Sequence, residues 1–168
     1  MAGDQEIGQV ICQNEMATQA FAARLAPMLR AGDVLALDGD LGAGKTAFSR
    51  ALINAFPACA GQEEIEEVPS PTFTLVQVYD RGEEQIWHFD LYRLEDPEEA
   101  FELGIEEAFA EAICLIEWPE KLGRFLPRNR LLVKLSYGEG ETSRKISLHG
   151  EAGWLSRLSP LFSEDGKQ

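Results

Sequence analysis

Gly39-Asp40-Leu41-Gly42-Ala43-Gly44-Lys45-Thr46 is the stretch from which the rest of this chain can be read. Its G-x-x-x-x-G-K-[ST] spacing is that of a phosphate-binding loop, and each fixed position has its own physical task. Gly42 and Gly44 lack a Cβ, so backbone N–H groups can close around phosphate oxygens. Lys45 brings a point charge to the β- and γ-phosphates, and the Thr46 hydroxyl is an oxygen ligand for Mg²⁺. A helix opening here aims the positive end of its dipole at the same anion.

The flanks agree with that reading. Residues 34–37 (VLAL) form a short apolar run ending at Asp38, as a buried strand would. Residues 47–55 (AFSRALINA) follow, with Phe48, Ala51, Leu52 and Ala55 on one helical face. Strand, glycine-rich loop and helix in that order predict a nucleoside triphosphate site with Mg²⁺, built on residues 40–46.

The chain has 168 residues, a length that predicts one domain over residues 1–168. Fifteen basic residues against 29 acidic ones leave a net charge of −14. Such a balance argues against direct binding of DNA or tRNA, because phosphate neutralisation dominates that affinity. Cys12, Cys59 and Cys114 are widely spaced and odd in number, which suits a reducing cytosol better than a disulfide or zinc framework. No leader pattern and no membrane-length apolar segment is present, so a cytoplasmic protein is expected.

Asn14 is placed to cap a helix reaching about Leu29, with Pro27 in its last turn and Gly32 ending it. Residues 57–69 read as an exposed Glu-rich linker. Residues 72–80 (TFTLVQVYD) and 85–92 (QIWHFDLY) alternate as an antiparallel hairpin. Asp96-Pro97-Glu98-Glu99 is a helix start, interrupted at Gly104, with a second short helix over 105–110. Residues 112–116 (AICLI) are a buried strand, 130–137 and 143–148 a second hairpin, and 151–161 a terminal helix. The fold class is therefore α/β, a P-loop NTPase fold whose central mixed β-sheet carries antiparallel hairpin additions and is flanked by helices.

A P-loop needs an acidic residue at a neighbouring strand end to hold Mg²⁺. Glu117 ends the apolar run Ile113-Cys114-Leu115-Ile116 and is the preferred candidate; Asp90 is the second. Alternation puts His88, Asp90 and Tyr92 on one face and Trp87, Phe89 and Leu91 on the core face. The polar face either lines a catalytic cleft, where Asp90 would orient or deprotonate the attacking water, or is a solvated sheet face. Hydroxyls of Ser70-Pro71-Thr72-Phe73-Thr74 could sense a γ-phosphate, or serve as ordinary turn residues. Trp118 would pack near the nucleotide or cover the core edge.

Taken together, GDLGAGKT at 39–46, SPTFTL at 70–75, HFDLYRL at 88–94, DPEE with LGI within 96–105, and ICLIEWPE at 113–120 resemble the TsaE (YjeE) family. These are P-loop ATPases of bacterial tRNA threonylcarbamoyladenosine (t6A) biosynthesis. The resemblance implies ATP as the nucleotide and the TsaB–TsaD pair as the partner, with ATP hydrolysis permitting repeated modification of adenosine 37 in tRNAs reading codons that begin with A. tRNA is then reached only through the complex. It also implies roles by motif. Lys45 and Thr46 hold phosphate and Mg²⁺, Glu117 completes the metal site, Asp90 serves hydrolysis with Lys45, and Thr72 is switch-like. Tyr92 and Arg93 would lie near the cleft or partner surface. Ala47 departs from the second Thr frequent in the family.

Two rivals share the P-loop. A small-molecule or nucleotide kinase would use Arg124, Arg128 and Arg130 as a phosphate-gripping lid, although no acceptor site is evident and those arginines also fit a solvated loop around Pro127. A non-hydrolytic switch would control assembly by binding alone. A guanine switch is disfavoured, since no Asn-Lys-x-Asp string is present to read the base.

Overall fold

The computed structural model describes residues 4–40, 44–56 and 74–162. Seven strands join in one sheet, in the order β1-β7-β6-β2-β5-β4-β3. They are β1 (Gln5–Cys12), β2 (Val34–Asp38), β3 (Val76–Arg81), β4 (Glu84–Asp90), β5 (Ile113–Glu117), β6 (Leu131–Tyr137) and β7 (Arg144–Gly150). The centre is parallel: β2 lies between β5 and β6, and β5 also pairs with β4. The margins are antiparallel, β3 on β4 at one side and β6 on β7 on β1 at the other. This is the mixed sheet with hairpin additions that the strand spacing predicts, and it is a P-loop NTPase architecture.

Helices cover both faces. On one side α1 (Glu15–Leu25), α2 (Lys45–Ala55) and α5 (Ala152–Phe162) pack with Leu35, Leu37, Ile86, Ile113 and Leu115. On the other, α3 (Glu99–Glu102) and α4 (Ile105–Glu111) pack with Val34, Phe89, Leu91, Cys114 and Ile116. Strand alternation decides the assignment, since odd and even positions of β2, β4 and β5 feed different layers. β2 and β5 read as unbroken apolar runs because both faces are buried. Phe48 and Leu52 anchor α2, and full burial of each stabilises by about 1.5–3 kcal/mol.

Asn14 caps α1, its Oδ1 accepting from the Ala17 N–H at 2.9 Å. The helix is shorter than expected. It gives way at Ala26 to a 3₁₀ turn over Ala26–Met28, where Pro27 is accommodated near the start. The hairpin strand expected over 72–80 begins at Val76, with Leu75 at φ +69° just ahead of it, and its partner stops at Asp90, two residues early. Asp96-Pro97 precedes α3 as a turn rather than capping it, the Glu99 N–H donating to the Asp96 carbonyl at 3.0 Å.

The N-terminal strand β1 has no counterpart in the expectation. It pairs with β7, with an irregularity between Glu6 and Gly8. Gly8 is there for space: a Cβ would meet the Phe162 ring of α5 at 2.5 Å. The linker 57–69, Cys59, Leu41, Gly42, Ala43 and Thr72 lie outside the described residues.

Candidate functional site

The site forms where β2, β4 and β5 end together and α2 begins. Leu37 of β2 and Asp90 of β4 are both register partners of Glu117 on β5. In-register neighbours on parallel strands point to the same face, so Asp90 and Glu117 project side by side toward α2. Gly44, at φ +101°, sits immediately before Lys45, the first residue of that helix. This left-handed conformation is open to glycine at little cost.

Thr46 is the second residue of α2. Its hydroxyl donates to both Glu117 oxygens, at 3.0 Å and 3.1 Å. Glu117 is only 3% exposed. Its Oε2 also lies 2.6 Å from Nε2 of His88, which is wholly buried. The polar face of β4 is therefore buried at the carboxyl-terminal end of the parallel strands, and the solvated-face alternative does not hold for His88 and Asp90. Tyr92 leaves the stripe because β4 has ended; it is 51% exposed and its ring packs on Trp118, centroids 5.0 Å apart.

Asp90 is 4% exposed. Its Oδ1 accepts from the Tyr92 N–H at 3.1 Å, its own N–H donates to the Leu75 carbonyl, and the Leu91 N–H donates to the Glu117 carbonyl. The carboxylate thus closes the turn that leaves β4 and lies near enough to Lys45 for its charge to act on that ammonium. Leu75 and Trp118 are the non-glycine residues with positive φ among those described, at +69° and +61°. Both flank this site, and such conformations persist only where surrounding structure holds them.

Lys45 is nearly buried. Its Nζ donates to the Gly39 carbonyl at 2.6 Å and lies 3.4 Å from the centroid of the Trp118 ring. Burial pushes the ammonium below its usual pKa, and Glu117, Glu120, Asp90 and Asp38 partly oppose that shift. Trp118 thus packs directly under the phosphate-loop lysine, a contact its position after Glu117 did not reveal.

Asp40 lies beside a cavity of about 480 Å³ with Asp38, Trp118, Glu120 and Lys134. A second cavity, of about 190 Å³, adjoins Gly44 and is lined in part by Thr18, Ala47, Ala51, Leu135 and Arg144. The arginines suggested as a lid receive no support from Arg130. It precedes β6, whose Leu131 pairs with Leu35 near the start of β2, and it binds the Asp4 carboxylate at 3.1 Å. That is the end of the sheet away from the loop.

The donor set suits Mg²⁺. The Thr46 hydroxyl and Glu117 carboxylate are hard oxygen ligands 3.0 Å apart, and neighbouring ligands of an octahedral Mg²⁺ at about 2.1 Å stand about 3 Å from each other. Among the described residues no group of three or more His, Cys, Asp or Glu side chains could cage an ion. Mg²⁺ commonly takes one or two protein ligands and completes its shell with phosphate and water. No helix among the described residues is long and apolar enough to cross a membrane.

Residues 12–146 match the family model described as threonylcarbamoyl adenosine biosynthesis protein TsaE. The tRNA threonylcarbamoyladenosine biosynthesis protein TsaE of Rickettsia felis is 41% identical, over 92% of this chain and 90% of its own. The protein of that name from Haemophilus influenzae is 46% identical, over 76% of each chain. The crystal structure of Bacillus subtilis YdiB superposes with a TM-score of 0.74 at 28% identity, covering 94% of both chains.

Proposed function

The chain belongs to the TsaE family, and on that premise we propose that it is a Mg²⁺-dependent ATPase of tRNA t6A biosynthesis, working in the cytoplasm as the nucleotide-driven partner of a TsaB–TsaD pair. The observation that carries the ATPase reading is the contact of Thr46 with Glu117 at the start of α2, beside Lys45. It joins the phosphate loop to the acidic strand end that such a site needs for its metal.

In this reading the N-terminus of α2, residues 40–46 and Lys45 take the phosphates, with Thr72 sensing the γ-phosphate. Lys45 exchanges its bond to the Gly39 carbonyl for phosphate oxygens, which relieves the cost of its burial. The cavity beside Gly44, apolar at Ala47, Ala51 and Leu135, takes the base. Thr46 and Glu117 hold Mg²⁺, which when bound neutralises charge on the β- and γ-phosphates. Asp90, fixed by the Tyr92 N–H, orients the attacking water or accepts its proton. Tyr92 and Arg93 face the cleft mouth or the partner. With a net charge of −14, contact with tRNA runs through the partners.

The test is ATP hydrolysis by the pure chain with and without a purified TsaB–TsaD pair. Stimulation by the pair is expected, together with repeated rounds of t6A formation. Binding of ATP with no hydrolysis under either condition would replace this reading with the non-hydrolytic switch.

A further inference from the structure

His88 has a task that neither its strand position nor the phosphate loop explains. It is wholly buried on β4, two residues before Asp90, and Nε2 lies 2.6 Å from Glu117 Oε2. Its other ring nitrogen, Nδ1, is buried with no hydrogen-bond partner among the described residues. A buried N–H without an acceptor is costly, so the proton belongs on Nε2. The ring then presents its Nε2–H as a donor to Glu117.

The consequence falls on the carboxylate. Oε2 accepts from both His88 and Thr46, whereas Oε1 accepts from Thr46 alone. The last torsion of a glutamate is broad and roughly two-fold, so nothing in the side chain itself selects a plane. The His88 bond does select one. It occupies Oε2 and leaves Oε1 with capacity for a metal ion or a metal-bound water.

We propose that His88 is a positioning residue that orients Glu117 for Mg²⁺, acting only through that carboxylate. The inference rests on the nucleotide–Mg²⁺ reading of the site given above. Outer partners of metal-binding carboxylates set affinity in this way, and losing one typically weakens metal binding about 10–100-fold.

The experiment titrates MgCl₂ against a fixed concentration of N-methylanthraniloyl-ADP, read by fluorescence, for the wild type, His88→Leu and His88→Gln. His88→Leu removes the donor at similar bulk, while His88→Gln keeps an N–H donor. His88→Leu is expected to raise the half-saturating Mg²⁺ concentration about 10–100-fold, with nucleotide affinity in EDTA unchanged. His88→Gln is expected to recover most of that loss. An unshifted Mg²⁺ dependence in His88→Leu overturns the inference alone. A wild type whose nucleotide binding ignores Mg²⁺ overturns the site reading on which it rests.

A measurement on the unmutated chain stands beside this should His88→Leu not fold. The sequence has two histidines, so nitrogen NMR of His88 can be assigned with a His149→Gln control. The Nε2–H tautomer is expected, with and without nucleotide and Mg²⁺. An Nδ1–H tautomer would leave Glu117 without a donor from His88 and refute the assignment.

Discussion

Thr46 and Glu117 stand 71 residues apart in the chain, yet the Thr46 hydroxyl donates to both carboxylate oxygens of Glu117. The first belongs to the helix that follows the phosphate loop and the second to the end of the adjacent parallel strand. If the two form one metal-binding unit, Thr46→Val and Glu117→Gln should each lower Mg²⁺-dependent ATP hydrolysis at least about tenfold, equivalent to about 1.4 kcal/mol. Their effects should not add. A double-mutant cycle is expected to show a coupling of about 0.5–3 kcal/mol, and strict additivity would separate the residues functionally.

Asp90 combines a structural bond with a proposed chemical one, and asparagine separates them. Asp90→Asn keeps an Oδ1 to accept from the Tyr92 N–H, so the turn after β4 should survive. It removes the charge needed to orient or deprotonate water. Nucleotide affinity should stay within about twofold, while hydrolysis falls about 10²–10⁴-fold, the usual contribution of a general base. Hydrolysis at wild-type rate would remove Asp90 from the chemistry.

Lys45 is a buried cation whose fold disfavours its charge. Because its pKa is lowered by burial, the folded state releases the proton more readily than the unfolded chain. That penalty is full at neutral pH and is lost as pH rises from the lowered value to the ordinary one, 10.5. Lys45→Met should therefore melt at or above the wild-type temperature at pH 7 while losing nucleotide binding. A large drop in melting temperature would instead make the Gly39 carbonyl and Trp118 contacts net stabilising.

Cys114 gives the opposite alkaline behaviour. Burial near the start of β5 pushes its thiol from 9.0 up to about 12. A raised acid pKa favours the fold while the thiol is neutral, and that advantage is lost as pH climbs from about 9 toward 12. Cys114 should resist iodoacetamide in the native protein at pH 8 and react on unfolding, as read by mass spectrometry. Cys12, also buried and shifted upward, should follow it. Rapid native labelling of Cys114 would place the strand in frequent contact with solvent.

Much of the centre of this fold was legible in order along the chain. Residues 34–37 and 112–116 are apolar without interruption because β2 and β5 are covered on both faces, and glycines with Lys-Thr between a strand and a helix leave few other arrangements. The margins were harder to read. β1 carries weak alternation and exists through pairing with β7, more than a hundred residues away. Strand preference at an edge depends on such partners more than on the residues themselves.

By itself, the sequence determined the loop chemistry, the helix and strand periods and the acidic residues that end β2, β4 and β5. All of these are local patterns of side-chain size, charge and backbone freedom. What only the tertiary structure decided is which of those ends meet. The register of β4 against β5 sets Asp90 beside Glu117, and packing of α2 on the same face brings Thr46 to that carboxylate. His88 was visible as part of a polar stripe, but its choice between water and Glu117 could not be read from spacing. A strand's period says which side chains share a face; the layer packed on that face decides whether they meet solvent or one another.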